Sequence, residues 1–311
     1  MALDIEDLAA KVSEETSVEL IPVKADEAFL SSKYGAAAGF FDAFVKAFCI
    51  PSEVVPGTVN VFSRSMYGMG SDESKEDLAR LLSSLGLSLN VSMMGYMSAA
   101  EASRFCAGEF DIGLSDSEFN RRIAAAISVH TGRRPPLLLD IPEGLAETES
   151  WMTRVAEYAG RTEMLGKALG ALRERYCEGI SAVRPVLEGR RVAIYSMHNR
   201  DVEWQVRTLK DVGAEIVFIM FGMDSFDDHE AKSPSYGDTP VMEGGLCELG
   251  KAAEAGHLDV LVTNFSRASR LGVPYSRLGS PRFGVEGAIE WLRILADSMR
   301  LPAGRGWRDG L

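Results

Sequence analysis

Four arginines of this chain follow segments that read as strands, where their side chains could bind an anionic ligand. They are Arg64, Arg200, Arg267 and Arg282. Guanidinium groups bind carboxylates in a bidentate manner, and open parallel sheets bind ligands at the carboxyl ends of their strands. In a chain of net charge −12, these cations predict a pocket for an anionic group, such as the carboxylates of a tetrapyrrole or of an organic acid. Salt bridges to an acidic surface are the alternative.

The cysteines and histidines are scattered, and their spacing predicts no metal site. Cys49, Cys106, Cys177 and Cys247 form no CxxC pair, and no HxxxH pair occurs. Zinc and iron–sulfur sites usually need such pairs, so we expect isolated, reduced thiols. A GxxxxGK[ST] or GxGxxG motif is also absent from the sequence, which argues against a P-loop ATPase and a simple dinucleotide enzyme.

The composition excludes further classes of function. The chain has 311 residues, of which 46% are hydrophobic and 25% charged, as in ordinary globular proteins. Its acidic charge argues against a nucleic-acid partner. The acidic, amphipathic N-terminus does not resemble a signal peptide, and no apolar run approaches the ~20 residues that span a bilayer. We therefore expect a cytoplasmic protein with neither a nucleic-acid nor a membrane partner.

The stretch Gly189–Gly222 reads as a complete β-α-β unit. Val192–Tyr195 is a β-branched, apolar run typical of a buried parallel strand. Apolar residues at helical spacing follow, and Ile216–Met220 is the second predicted strand. Parallel strands need such a crossover, so this unit predicts an α/β fold. It also predicts chemistry in the loop Ser196–Arg200, at the end of the first strand.

The remaining pattern predicts two Rossmann-like parallel-sheet domains and part of a third. We divide the chain into a partial first domain (1–50), a Rossmann-like domain (51–150), a helical bridge (151–187) and a C-terminal Rossmann-like domain (188–311). Val18–Val23 reads as a strand of the first part. We expect a ligand in the cleft between the two complete domains. The predicted cofactor-binding residues are Arg64, Ser115, His198, Arg200, Arg267, Arg282 and Phe283, while no catalytic residue can be named.

Several stretches together resemble the nitrogenase component 1 family, which comprises dinitrogenase subunits, cofactor scaffolds and protochlorophyllide-reductase-like proteins. Near the N-terminus, Asp4-Ile5 and Val18–Val23 resemble the family's "GDDI … IPVxCxGF" segment, and Leu187–Val192 resembles its "LEGKRV". Further along, Asp259–Val262 and Gly272–Pro274 resemble its closing strand and "G[IV]P". Gly284–Ala288 resembles its "GYEGA" turn. Their order and spacing cover nearly the whole chain. The resemblance implies that the chain begins where the family's cysteine-bearing N-terminal portion would end.

The departures from the family pattern concern its metal ligands. Ala25 stands where many relatives have a cluster cysteine, Ser115 lies near the cysteine that ligates the iron–molybdenum cofactor, and Phe283 replaces a cofactor-binding histidine. Ser32 and Ala36 fall near two other cofactor-facing positions. These side chains cannot replace thiolate and imidazole as ligands of soft metals. The resemblance does preserve Arg200, which stands where the family directs an arginine toward its cofactor.

Three functions follow from the resemblance and the departures together. The chain is a subunit of a nitrogenase-like two-component reductase, a non-catalytic scaffold or carrier for cofactor assembly, or a cytosolic small-molecule binding module. The first implies a homo- or hetero-oligomer with a related component 1 subunit, and an ATP-dependent iron–sulfur reductase protein as electron donor. We expect no cofactor bound by this chain alone. The alternative is that this chain and a partner subunit together bind an iron–sulfur cluster or a tetrapyrrole.

Overall fold

A computed structural model describes residues 4–23, 35–63, 72–93, 97–197, 201–222 and 236–300. The chain packs into two compact units. Unit 1 comprises Met1–Ser71 and Gly86–Asp140, and unit 2 comprises Asp72–Leu85 and Ile141–Leu311. These units follow from packing, and the predicted division at residues 50, 150 and 187 remains a prediction.

Unit 1 is built on a four-stranded parallel sheet. Its strands are β1 (Val55–Phe62), β2 (Ser88–Met93), β3 (Gly108–Leu114) and β4 (Leu137–Leu139), in the order β2-β1-β3-β4. Its helices are α1 (Ile5–Thr16), α2 (Gly35–Phe48), the short α4 (Ala99–Ala102) and α5 (Glu118–Thr131). The helix α3 (Asp72–Ser84) joins β1 to β2 in sequence and belongs to unit 2.

The core of unit 1 lies under α2 and α5. Phe62, Phe105 and Ile127 are fully buried, and Phe41 of α2 meets Phe119 of α5 edge to face, with ring centroids 5.7 Å apart. The prediction of a strand at Val18–Val23 is wrong, because these residues adopt no regular structure. Val18 and Leu20 are exposed there, and no strand of the described residues pairs with this segment.

Unit 2 is built on a five-stranded parallel sheet. Its strands are β5 (Arg191–Ser196), β6 (Glu215–Phe221), β7 (Val241–Glu243), β8 (Val260–Thr263) and β9 (Tyr275–Arg277), in the order β7-β6-β5-β8-β9. Besides α3, its helices are α6 (Gly144–Ala159), α7 (Thr162–Leu187), α8 (Glu203–Asp211), α9 (Leu246–Gly256) and α10 (Gly284–Arg300). The predicted α/β fold with parallel sheets is confirmed.

The core of unit 2 centres on two indoles. Trp204 of α8 and Trp291 of α10 pack edge to face with centroids 5.0 Å apart, among the apolar faces of α7, α8 and α10. Gly179 lets α7 approach α10 closely, because a Cβ there would lie 2.3 Å from the side chain of Ile289. The β-α-β unit predicted at Gly189–Gly222 forms β5, α8 and β6. In the part of the chain that the structure describes, no helix is long and apolar enough to cross a membrane.

Candidate functional site

The strand order of unit 2 changes direction at β5, which has β6 on one side and β8 on the other. Ligands of open α/β sheets bind at such a point, outside the carboxyl ends of the strands. The loops after β5 and β8 meet there, since the backbone N–H of Met197 donates to Oδ1 of Asn264 at 2.9 Å. Gly222, after β6, completes this edge. A Cβ at Gly222 would lie 2.9 Å from the carbonyl oxygen of Met197, so only glycine fits.

Unit 1 has an equivalent point between β1 and β3. The hydroxyl of Ser63, after β1, lies 3.4 Å from the carbonyl oxygen of Leu114, the last residue of β3. The next residue, Ser115, has a φ of 154°, which is unusual for a residue with a side chain. Strained backbone of this kind is concentrated at functional sites. The carboxyl end of β3 is therefore the candidate site of unit 1.

A polar cluster holds Ser115 in this conformation. Its hydroxyl donates to Oγ of Ser117 at 3.0 Å and accepts from Nδ2 of Asn120 at 2.8 Å. The same Nδ2 also donates to the carbonyl oxygen of Ser115 at 3.1 Å. Asn120 is fully buried at the start of α5, and its Oδ1 has no hydrogen-bond partner among the described residues. This orphaned acceptor is available to a donor group or a water.

The structure describes four of the seven predicted cofactor-binding residues. Ser115 lies at the carboxyl end of β3 and Arg267 in the turn after β8. Arg267 is exposed and has no ion-pair partner among the described residues. Arg282 instead binds the buried carboxylate of Asp77, and Phe283 is 3% exposed within the core. The other three, Arg64, His198 and Arg200, lie outside the described residues.

Sequence reasoning missed a carboxyl group, Glu143, at a junction of three helices in unit 2. Glu143 immediately precedes α6 and forms a backbone bridge with Gly284, the first residue of α10. The N–H of Gly284 donates to the carbonyl oxygen of Pro142 at 2.6 Å. A Cβ at Gly144 would lie 3.3 Å from the Cβ of Trp204, in the first turn of α8. Three helix N-termini therefore meet around Glu143.

The environment of Glu143 favours its neutral form. Burial raises the pKa of Glu143 to about 7, and the nearby carboxylates of Asp201 and Glu147 add to the rise. The indole of Trp204 hydrogen-bonds the carboxyl group and opposes the shift. Burial also raises the pKa of Glu147, although Arg207 pairs with it. A strongly shifted carboxyl group marks a candidate functional residue.

A cavity of about 350 Å³ adjoins this junction between α6, α7 and α8. Its lining includes Glu147 of α6, Tyr176 of α7, and Trp204, Arg207, Thr208 and Asp211 of α8. The hydroxyl of Tyr176 donates to Oδ2 of Asp211 at 2.8 Å. The cavity therefore gives solvent a path to the neighbours of Glu143.

Unit 1 also contains a buried polar cluster. Oδ1 of Asp111 accepts from Nδ2 of Asn60 at 2.6 Å and lies 3.3 Å from the guanidinium of Arg133. Oδ2 of Asp111 has no hydrogen-bond partner in the described structure. Burial raises the pKa of Asp111 to about 6, although Arg133 and Asn60 oppose the shift.

The cysteines do not fit an iron–sulfur cluster. Cys49 and Cys106 are buried in unit 1, whereas Cys177 and Cys247 are exposed on α7 and α9 of unit 2. Burial raises the pKa of the Cys49 thiol to about 12, so it is not a thiolate at neutral pH. Among the described residues, no three Cys, His, Asp or Glu side chains are grouped so that they could hold a metal ion. Clusters need several thiolates brought together, and these residues do not supply them.

Comparison with known proteins adds a family and a fold. The family model described as nitrogenase component 1 type oxidoreductase matches residues 1–300. The structure of nitrogenase Cp1 at pH 6.5 resembles the chain with a TM-score of 0.69 and 14% sequence identity, and the match covers 96% of this chain and 69% of that one. The structure of nitrogenase Cp1 at pH 5 matches with a TM-score of 0.68 and 14% sequence identity, and the match covers 96% of this chain and 68% of that one. At this identity the likeness shows the fold alone. No curated protein matches the sequence.

Proposed function

Because the chain belongs to the nitrogenase component 1 type oxidoreductase family, we propose that it is a subunit of a nitrogenase-like two-component reductase. In this role it binds an anionic cofactor or substrate at the carboxyl edge of the five-stranded sheet. Electrons come from an ATP-dependent iron–sulfur reductase partner. The chain holds its ligand by charge and shape, since its described residues do not fit an iron–sulfur cluster.

The position and exposure of Arg267 are the observation on which this proposal rests. It lies in the turn Ser266–Leu271, directly after the loop in which Asn264 accepts from Met197. Most arginines of the described structure pair with carboxylates, whereas the guanidinium of Arg267 is exposed and has no such partner there. An unpaired guanidinium at a ligand-binding edge favours an anion with a planar carboxylate.

Binding of defined anionic probes tests the proposal. Protoporphyrin IX, which carries two carboxylates, and citrate are titrated into the purified chain, with protoporphyrin dimethyl ester as the uncharged control. We expect Arg267→Ala to weaken binding of the acid form by about 1.5–3 kcal/mol, the range for a hydrogen bond to a charged group. Arg293→Ala removes an exposed arginine of α10 and should leave the affinity unchanged. Equal binding of acid and ester would contradict the proposal.

The partner subunit of this proposal has a candidate surface on α2. Phe40 is 53% exposed and stacks on Phe44 with centroids 6.2 Å apart, and Phe44 contacts Phe48 at 5.1 Å. Exposed aromatic clusters of this kind are typical of protein interfaces. We propose that a related component 1 subunit covers them. Sedimentation of the chain and of Phe40→Glu tests this, and an unchanged monomer in both would contradict it.

A cofactor scaffold or carrier is the second candidate, favoured by the missing metal ligands. The two roles differ in the fate of the bound ligand. A reductase subunit supports reduction of its ligand when ATP and an iron–sulfur ATPase of the reductase type are supplied. A scaffold releases the same ligand unchanged to an acceptor protein. Anaerobic absorption spectra of the bound tetrapyrrole distinguish reduction from transfer.

A further inference from the structure

A stretch without acidic residues runs through β8 and β9, at one side of the sheet of unit 2. Residues 260–285 contain no Asp or Glu, although 45 of the 311 residues of the chain are acidic. The cations of this stretch are Arg267, Arg270, Arg277 and Arg282. Such a local excess of positive charge in an acidic protein favours the approach of anions.

Two of these four arginines already have partners. Arg282 binds a buried carboxylate of α3, and Nε of Arg277 donates to a backbone carbonyl oxygen at 3.0 Å. Arg267 and Arg270 are exposed, and neither has a hydrogen bond or an ion pair in the part of the chain that the structure describes. These two guanidiniums are therefore available to a ligand.

The turn Ser266–Leu271 presents Arg267 and Arg270 on the same side. It is a 3₁₀ helix, in which side chains three residues apart eclipse one another and stand about 6 Å apart along the axis. A different pair with the same spacing faces the core, because Ala268 belongs to an apolar core cluster and Leu271 packs against that cluster. This packing fixes the turn so that both arginines lie on an exposed side.

The turn begins at the candidate ligand edge of unit 2. It follows β8, and Asn264 in the same connection accepts from the backbone N–H of Met197 after β5, at 2.9 Å. Arg267 stands close to this edge, and Arg270 stands one 3₁₀ turn further along the connection to β9. A guanidinium binds one carboxylate through two parallel hydrogen bonds. Each of the two arginines can therefore bind a carboxylate of its own.

We propose that Arg270 is a second anion-binding residue at this edge, and that the ligand carries two separate carboxylates, one for Arg267 and one for Arg270. This inference rests on the proposed function for the position of the ligand, and it adds the number of anionic groups that the ligand carries. A ligand with a single carboxylate would leave one guanidinium without a partner and would bind more weakly.

A series of esters tests the number of carboxylates. Protoporphyrin IX, its monomethyl ester and its dimethyl ester carry two, one and no carboxylates on the same ring system. We expect the monoester to bind the purified chain about 10 to 100 times more weakly than the diacid, the loss for one hydrogen-bonded charge. Glutarate and its monomethyl ester provide the same comparison without the macrocycle.

Substitution of the arginines tests which residue binds the second carboxylate. Arg270→Ala should weaken binding of the diacid by a factor of about 10 to 100 and leave that of the monoester nearly unchanged, because one carboxylate can still use Arg267. The double variant Arg267→Ala/Arg270→Ala should bind the diacid no better than the diester. Arg293→Ala, the control from α10, should change none of these affinities. All these residues are exposed, so the melting temperatures should stay close to that of the wild type.

The outcomes separate this inference from the proposed function. If the monoester binds as tightly as the diacid while the diester does not bind, both arginines share one carboxylate, and the inference is overturned while the proposed function stands. The same holds if Arg270→Ala binds the diacid like the wild type. If the diester binds as tightly as the diacid, or if no probe binds, both the inference and the proposed function are overturned.

Discussion

Arg282 binds Asp77 in a bidentate manner, with Nε 3.0 Å from Oδ2 and a terminal nitrogen 2.8 Å from Oδ1, although 205 residues separate the two. Asp77 is 3% exposed, and Arg80 is its second cationic partner. This geometry joins α3 to the start of α10. It also means that an anionic ligand would have to compete with a buried carboxylate for Arg282.

Arg282→Ala should therefore destabilise the protein more than it affects binding of the anionic probes. Removing one partner of a buried ion pair leaves an incompletely compensated charge, which costs about 3–5 kcal/mol. Arg80 remains, so we expect about 3 kcal/mol by chemical denaturation. Arg293→Ala removes an exposed arginine of α10 and should change the free energy of unfolding by less than about 0.5 kcal/mol. A stable Arg282→Ala protein with weakened binding would assign Arg282 to the ligand.

Arg133→Met should be strongly destabilising. The guanidinium of Arg133 lies 3.3 Å from Asp111 and donates to the carbonyl oxygen of Phe105 at 2.9 Å. Its removal leaves Asp111 buried with Asn60 as its remaining donor, and we expect a loss of about 3–5 kcal/mol in urea denaturation at pH 8. The loss should shrink below pH 6, where the acid is neutral. Arg134→Met is the comparison: Arg134 is exposed, contacts the ring of the buried Phe110 and also favours the Asp111 carboxylate electrostatically, so we expect a smaller loss than for Arg133→Met.

Ser115 allows the backbone strain at the end of β3 to be measured. Its φ of 154° is unfavourable for any residue with a Cβ, whereas glycine adopts such values readily. Ser115→Ala and Ser115→Gly both lose the hydrogen bonds of the Ser115 hydroxyl to Ser117 and Asn120 and keep the bond from Asn120 to the backbone carbonyl oxygen. The glycine variant should therefore be the more stable of the two by about 1–3 kcal/mol. If alanine is equally stable, the backbone at Ser115 is unstrained.

Iron–sulfur reconstitution of the isolated chain should fail. The buried thiols of unit 1 have raised pKa values, and the exposed cysteines of unit 2 lie on two different helices. Anaerobic incubation with iron and sulfide, followed by metal analysis, should give substoichiometric iron. About four irons per chain, lost when Cys49 and Cys106 are changed to serine, would contradict this prediction.

The local elements were predictable because their signals lie within a few residues of one another. Apolar periodicity and glycine stops predicted β5, α8 and β6 to within a residue or two. The predicted strand at Val18–Val23 fails, and within the described parts of the chain no strand pairs with it. Strand propensity reflects packing against neighbours rather than an intrinsic backbone preference.

The site was harder to predict, because it depends on pairings far apart in the sequence. No residue near Arg282 in the sequence indicates that its guanidinium will form an ion pair with Asp77. Glu143 likewise becomes unusual only when Trp204 and Gly284 approach it. A weak signal existed in Pro142-Glu143-Gly144, an acid placed between two turn-forming residues shortly after β4.

The position of α3 has a consequence for the order in which the protein acquires its structure. This helix is synthesised before α7 and α10, the helices against which it packs. Its residue Asp77 can form its ion pair only after Arg282, 205 residues later, has been synthesised. The apolar side of α3 therefore lacks its contacts with α7 and α10 until these helices have been synthesised. Unit 2 can be completed only after nearly the whole described chain has been translated. The growing chain thus exposes an apolar helix face, the kind of surface that chaperones protect from aggregation.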